Sequence, residues 1–480
     1  MPSPSNTLRG LLRRGLTTIR RTASIWCLGL SLQVSAAGAA SSVPPPAGAT
    51  PDSTAVPGES DADGAIEAAE ASTPLPPYDQ KLIKWNDYKG ESYTLHFGYN
   101  VMYDVVGYNQ DPSSVAQWGD LKSPDSKFRD VRLLASGKFP KSKRYLEWKA
   151  GYMYDGLNEE WIWRETGIIV AVPEIFGHLF IGRTKLGVSM IKHMSGASIM
   201  GLERAPIEDM TIPIQNDGIR WMGYLPKQRL VWNLGYFNET LFNNALYPFM
   251  DQQYAARVAF LPQLSERNGK VLHLAANLKY GNPRDDKTQL KARPQASTAP
   301  YFLDTGVFPA EHEKVIGPEV WYRDNSWLFG GAYYFVKTEA SAGDHEFQGG
   351  DLWVSWLMTG EVRRYNTRGA LFDFVYPKHS VFKGGKGAFE ATINATYTDA
   401  NSGTIQGGKL WRVSPMLAWY PTYEFRFTIG YGYGVLDRFG KAARHNSSRP
   451  ESRQCCDRLA GPKAAFSHAI DESPQVGGRT

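Results

Sequence analysis

Between Ile181 and Tyr224 the chain places Lys185, Lys192, Ser195 and Arg204 in a stretch that shows no strand alternation. Ammonium, guanidinium and hydroxyl groups are donors suited to oxyanions, and a ring of lysines and arginines in a narrow, partly dehydrated passage selects anions. The same stretch holds Glu203, Glu208 and Asp209, so the cations could instead pair with these acids and pin the loop to a wall. Both readings stand at this stage. The irregular part, from Lys185 to Gly218, runs about thirty residues, a length that loops reach when they are functional or disordered. It is read here as a loop folded into the lumen of a membrane β-barrel.

The elements that would position such a loop are long alternating strands. Tyr93, Leu95, Phe97, Tyr99, Val101, Tyr103 and Val105 alternate with Thr94, His96, Gly98, Asn100, Met102 and Asp104. The clearest case sets Phe425, Phe427, Ile429, Tyr431 and Tyr433 against Glu424, Arg426, Thr428, Gly430 and Gly432. Period two makes one face apolar, and the length fits the nine to eleven residues, roughly, that a strand needs to cross a membrane. Aromatics at 13%, 47 glycines and a mean hydropathy of −0.38 suit a barrel better than a helical membrane protein. The fold class expected is all-β, a transmembrane antiparallel β-barrel of about sixteen strands, with weaker strands near Thr298 to Gly306, Val315 to Tyr322 and Trp327 to Lys337.

Arg132, Arg220, Arg412 and Arg426 fall on strand segments whose neighbours two positions away are often polar or small, so they are candidates for lining the lumen. The alternative is contact with lipid head groups. Trp161, Trp163, Trp411 and Trp419 read as a lipid-interface girdle rather than as ligand platforms. The histidines form no Ser-His or Asp-His constellation, and His193 beside Ser195 reads as incidental. Gly384-Gly385-Lys386 lacks P-loop spacing, and no metal-ligand spacing occurs. No catalytic residue, cofactor, metal or nucleic-acid partner is expected.

The first 39 residues carry five arginines and no acid, then an apolar core around Ile25 to Val34, then small residues through Ala39. That order predicts an export signal cut near Ala39. Residues 40–90 read as a flexible periplasmic linker and 91–440 as the barrel. No cysteine lies between Ala40 and Gly440.

Phe128-Arg129-Asp130-Val131-Arg132-Leu133, Gly182-Arg183-Thr184-Lys185, Glu203-Arg204-Ala205, Phe302-Leu303-Asp304-Thr305-Gly306 and Trp356-Leu357-Met358-Thr359-Gly360-Glu361 resemble, in order and spacing, the phosphate-selective porin O/P family. The resemblance covers roughly residues 90 to 440. It implies an outer-membrane barrel of a Gram-negative bacterium, surrounded by lipid, typically homotrimeric, passing phosphate or other small anions. It also implies an inward-folded third extracellular loop whose constriction residues here would be Lys185, Lys192, Ser195 and Arg204. Against the family's loop, Gly196 stands where a second serine would be and Ala197 where the central lysine would be, while Lys192 replaces a frequent glutamate. These changes leave anion preference expected and sharp phosphate specificity open, with a general diffusion porin or a non-conducting structural or adhesive barrel as alternatives.

After Gly440 the alternation stops, and 441–480 reads as an atypical tail. A closing strand ending in an aromatic residue is expected there and is absent or replaced, which is what a reading-frame change near Gly440 would produce.

Overall fold

The computed structural model describes residues 21–35, 86–238, 249–265 and 269–438. The linker up to residue 85, the expected cleavage site and the tail 441–480 lie outside the described residues. Eighteen strands form one sheet, of which Asp87–Lys89 is a short addition and two runs make a single wall strand, so sixteen strands form a closed antiparallel ring. In chain order they are β1 (Arg21–Ser35), β2 (Thr94–Gln110), β3 (Asp125–Lys138), β4 (Leu146–Asp155) and β5 (Glu160–Trp163 with Thr166–Val172). Then follow β6 (Gly177–Thr184), β7 (Asn216–Leu225), β8 (Leu230–Asn238), β9 (Met250–Ser265), β10 (Lys270–Pro283) and β11 (His312–Asp324). The last are β12 (Trp327–Glu339), β13 (His345–Leu357), β14 (Ala388–Ser402), β15 (Ile405–Tyr420) and β16 (Phe425–Arg438).

The alternation sorts side chains as the period requires. On β16, Phe427, Ile429 and Tyr431 are exposed on the outer face, while Arg426 and Thr428 are buried on the inner one. Trp161, Trp163 and Trp411 are likewise exposed, with Trp161 stacked on Tyr152 at 5.2 Å. Among the described residues no helix is long and apolar enough to cross a membrane. The strands are the spanning elements, and their ladders satisfy backbone groups that lipid could not.

Three connections turn inward. Residues 185–215, the third connection on the long-loop rim, join β6 to β7. Residues 284–311 carry a hairpin, Lys287–Ala292 with Leu303–Pro309. On the opposite rim, residues 358–387 carry the short pair Tyr365–Asn366 and Leu371–Phe372. Met190, Ile191, Met194, Ile199 and Met200 of the first pack with Tyr365 and Phe372 of the third and with Trp321 and Trp353 of the wall. Ile207 and Met210 pack with Leu290, Phe302 and Phe308 of the second.

One expectation is corrected. Thr298 to Gly306 is not a wall strand: Phe302 and Leu303 are 1% and 0% exposed, and Leu303–Pro309 belongs to the inward hairpin. Period-two apolarity looks the same whether the apolar face meets lipid or a packed lumen. Among the described residues the ring closes at the seam between β2 and β16. β1, drawn from the expected signal, pairs antiparallel with β16 on one side and β2 on the other. Unpaired edges in lipid are too costly for the seam to stay empty.

Candidate functional site

The 185–215 loop holds only two short helical turns, Met190–His193 and Pro206–Thr211. Its carbonyl groups lie inside a barrel and need donors. Cations supply many of them. Lys185 Nζ donates to the carbonyls of His193 and Met194 at 2.7 and 2.6 Å. Arg204 donates to Ile191 and Met194, both at 3.1 Å. From the wall, Arg220 reaches the Lys185 carbonyl at 3.0 Å, Lys279 reaches Thr211 at 2.7 Å, and Arg426 reaches Ile199 and Met200 at 2.6 and 3.1 Å. A carbonyl bond holds the cation in place without cancelling its charge.

The loop has two faces. Lys185, His193, Ser195, Gly196 and Arg204 keep partial solvent access, whereas Met190, Ile191 and Ile199 are buried. Arg132 on β3 spans to the open face, with Nη1 3.5 Å from Ser195 Oγ and Nη2 on Asp130. The structure therefore brings Lys185, Ser195, Arg204 and Arg132 together. Lys192 is elsewhere: it is 4% exposed and its Nζ lies 2.7 Å from Asp209 Oδ1, so there the pinning alternative describes what is found. Arg220 and Arg426 are inner-face residues that clamp the loop. Arg412, also on the inner face, instead holds the inward hairpin through the Pro294 carbonyl and donates to Ser414 Oγ at 2.9 Å.

Arg164 completes this group and was not singled out from the sequence. It sits between the two runs of β5, where the alternation breaks, and its Nη1 contacts Met153 Sδ at 3.1 Å. Arg129 was missed as well, although it belongs to a motif read above. It lies 3.2 Å from Asp104 and 3.0 Å from Glu203 and donates to the Leu202 carbonyl, tying the loop to β3.

Burial pushes the Lys185 ammonium well below its ordinary range, and Arg204, Arg164 and Arg132 push it further, with Glu165 opposing. Burial pushes the Glu208 carboxyl up to about 8, helped by Asp351 and opposed by Ser189 and Lys192. The open face thus gathers Lys185, Arg204, Arg164 and Arg132, with Asp130, Glu165 and Glu203 close to them. Among the described residues no cluster suited to a metal ion occurs.

The sequence profile described as phosphate-selective porin O and P matches residues 87–447. A protein of Caulobacter vibrioides described as uncharacterized is 28% identical over 198 residues, 40% of this chain and 39% of that protein, so the match spans well under half of the relative. Among solved structures, OmpT of Vibrio cholerae in a trimer form is 10% identical, with a TM-score of 0.42, over 72% of this chain and 99% of that one. An anion-selective porin from Comamonas acidovorans is 13% identical, with a TM-score of 0.37, over the same shares.

Proposed function

Because the chain belongs to the phosphate-selective porin O and P family, we propose that its barrel is a passive diffusion channel for small anions, with phosphate or polyphosphate the favoured cargo. The protein is located in the outer membrane of a Gram-negative bacterium. The observation that carries the reading is the open face of the 185–215 loop. There Lys185 and Arg204 bond to carbonyls rather than carboxylates, and Arg132 and Arg164 are near enough to weigh on the Lys185 proton. A partly dehydrated anion meeting Lys185, Arg204, Arg132 and the Ser195 hydroxyl exchanges hydration for charge-assisted hydrogen bonds.

Gly196 favours a second, less selective reading. A side chain begun at that position would meet Arg132 Nη2 at 3.3 Å, so the place where a hydroxyl could join the anion site is bare. A homotrimer embedded in lipid is the assembly proposed. The test is reversal potential and single-channel conductance of the refolded full chain in planar bilayers, in chloride salts and then with phosphate. Anion-selective current blocked by added phosphate supports the first reading. Anion selectivity without block leaves the second, and channels without anion preference or no channels overturn both.

A further inference from the structure

The buried side of the 185–215 loop meets the wall at the start of its first helical turn, Met190–His193. Two inner-face residues receive it there. Asn277 Oδ1 on β10 accepts the Ser189 N–H at 2.8 Å, and Glu319 Oε2 on β11 accepts the Met190 N–H at 2.8 Å. Asn277 and Glu319 are 2% and 1% exposed. With both N–H groups turned to the wall, Ser189 sits at φ 61° and ψ 134°, a setting that a residue with a Cβ keeps only where its surroundings enforce it. The carbonyls at the other end of the turn, those of His193 and Met194, hold Lys185 Nζ, and Met194 also accepts from Arg204.

Glu319 is a fixed point because its second oxygen is anchored as well. Oε1 accepts from Arg257 Nη2 at 2.6 Å and lies 2.8 Å from His273 Nε2. Arg257 also donates to the Ala370 carbonyl at 2.8 Å, and His273 Nδ1 lies 2.6 Å from the Tyr365 hydroxyl. One carboxylate thus meets the constriction loop with one oxygen, and with the other the groups that seat the 358–387 connection.

We infer that Glu319, with Asn277, is a positioning residue of the anion site: from the far side of the loop it sets the turn whose end carbonyls aim Lys185 and Arg204. This rests on the reading of their face as the anion site. Charge alone makes removal of an acid beside the lumen raise anion preference. Removal of a positioning residue lowers it, because Lys185 and Arg204 lose their bearing. In Glu319→Gln the amide carries one acceptor oxygen and serves either the Met190 N–H or Arg257, not both.

The experiment compares the unsubstituted full chain with Glu319→Gln and with Asn277→Ala, which changes no charge. Reversal potentials in a chloride gradient, and deuterium uptake by peptides from residues 186–204, are measured on the refolded, heat-modifiable species. Both variants are expected to show a severalfold lower anion-to-cation permeability ratio and severalfold faster uptake in 186–204, with uptake in β14 to β16 unchanged. A rise in anion preference for Glu319→Gln, or an unchanged preference for Asn277→Ala, overturns the inference. An unsubstituted channel without anion preference overturns the reading of the site instead. Uptake then carries the test: faster exchange in 186–204 upholds the hold on the loop, and unchanged exchange in both variants overturns it. Should Glu319→Gln fail to fold, Asn277→Ala decides alone by the same two readouts.

Discussion

Lys192 Nζ lies 2.7 Å from Asp209 Oδ1, with the lysine 4% and the carboxylate 39% exposed. The ammonium is spent inside its own loop, while its partner keeps solvent access. Asp209→Asn should therefore raise anion preference, by on the order of 1 kcal/mol or about fivefold in permeability ratio. Lys192→Glu should lower it by more, because it adds an acid beside Glu203, Glu208 and Asp209. The double change Lys192→Gln with Asp209→Asn should return close to the unsubstituted value. Reversal potentials in a salt gradient check the set, and a double variant that behaves like Lys192→Glu would remove the pair from the argument.

Lys185 and Arg204 converge on one acceptor, the Met194 carbonyl, at 2.6 and 3.1 Å. Both fix the loop, and for Arg204 two substitutions separate that role from its charge. Arg204→Gln should reduce anion preference by about fivefold and also raise current noise as the loop loosens. Arg204→Lys keeps the charge but not the forked donor pair, so selectivity should persist while noise rises. Equal selectivity loss in both variants would show that geometry, not charge, sets the preference.

Glu208 supplies a pH dependence. Its carboxyl is fully buried against Ser189 and Tyr334 and is held up to about 8, so it is neutral at pH 7 and ionises as pH rises. A negative charge then appears beneath the cationic face. Anion selectivity should fall between pH 7 and 9 with a midpoint near 8, and Glu208→Gln should flatten that step. A step of undiminished size in Glu208→Gln assigns it to another group.

The wall was legible because period two survives in single strands: the β16 run from Phe425 could be assigned face by face before any pairing was known. The same parity sets Arg132, Arg220, Arg412 and Arg426 on the inner face, where they are buried. Arg164 could not be placed this way, because the break between Trp163 and Thr166 shifts the parity on which such assignments rest. The inward hairpin around Leu303 misled for the opposite reason, its alternation being real but turned into the lumen. For β1, the apolar core of an export signal and an alternating strand share a composition, and only the register with Phe425–Arg438 distinguishes them. The direction of each loop cation was also unreadable, since a lysine's choice between Asp209 and a carbonyl depends on a fold that has no period.

Arg363 links the inward turn, the wall and the loop. Its Nη2 contacts both Glu390 carboxylate oxygens at 2.7 and 2.8 Å, while Nη1 donates to the Ser198 carbonyl at 2.8 Å. Glu390 also accepts from Tyr420 at 2.5 Å and from Ser355, so removing the guanidinium leaves a buried carboxylate with only neutral donors. Arg363→Gln should cost about 3–5 kcal/mol and lower the temperature at which the folded band unfolds. Arg363→Met with Glu390→Met removes both charges and should recover much of that stability, as buried pairs replaced by apolar groups often do. It should not restore the loop, because the Ser198 carbonyl still lacks its donor. The stable double variant should therefore show higher, noisier conductance than the unsubstituted channel. If it is as quiet as the original, Arg363 holds the wall alone, and the loop is fixed without it by Arg426 and Lys185.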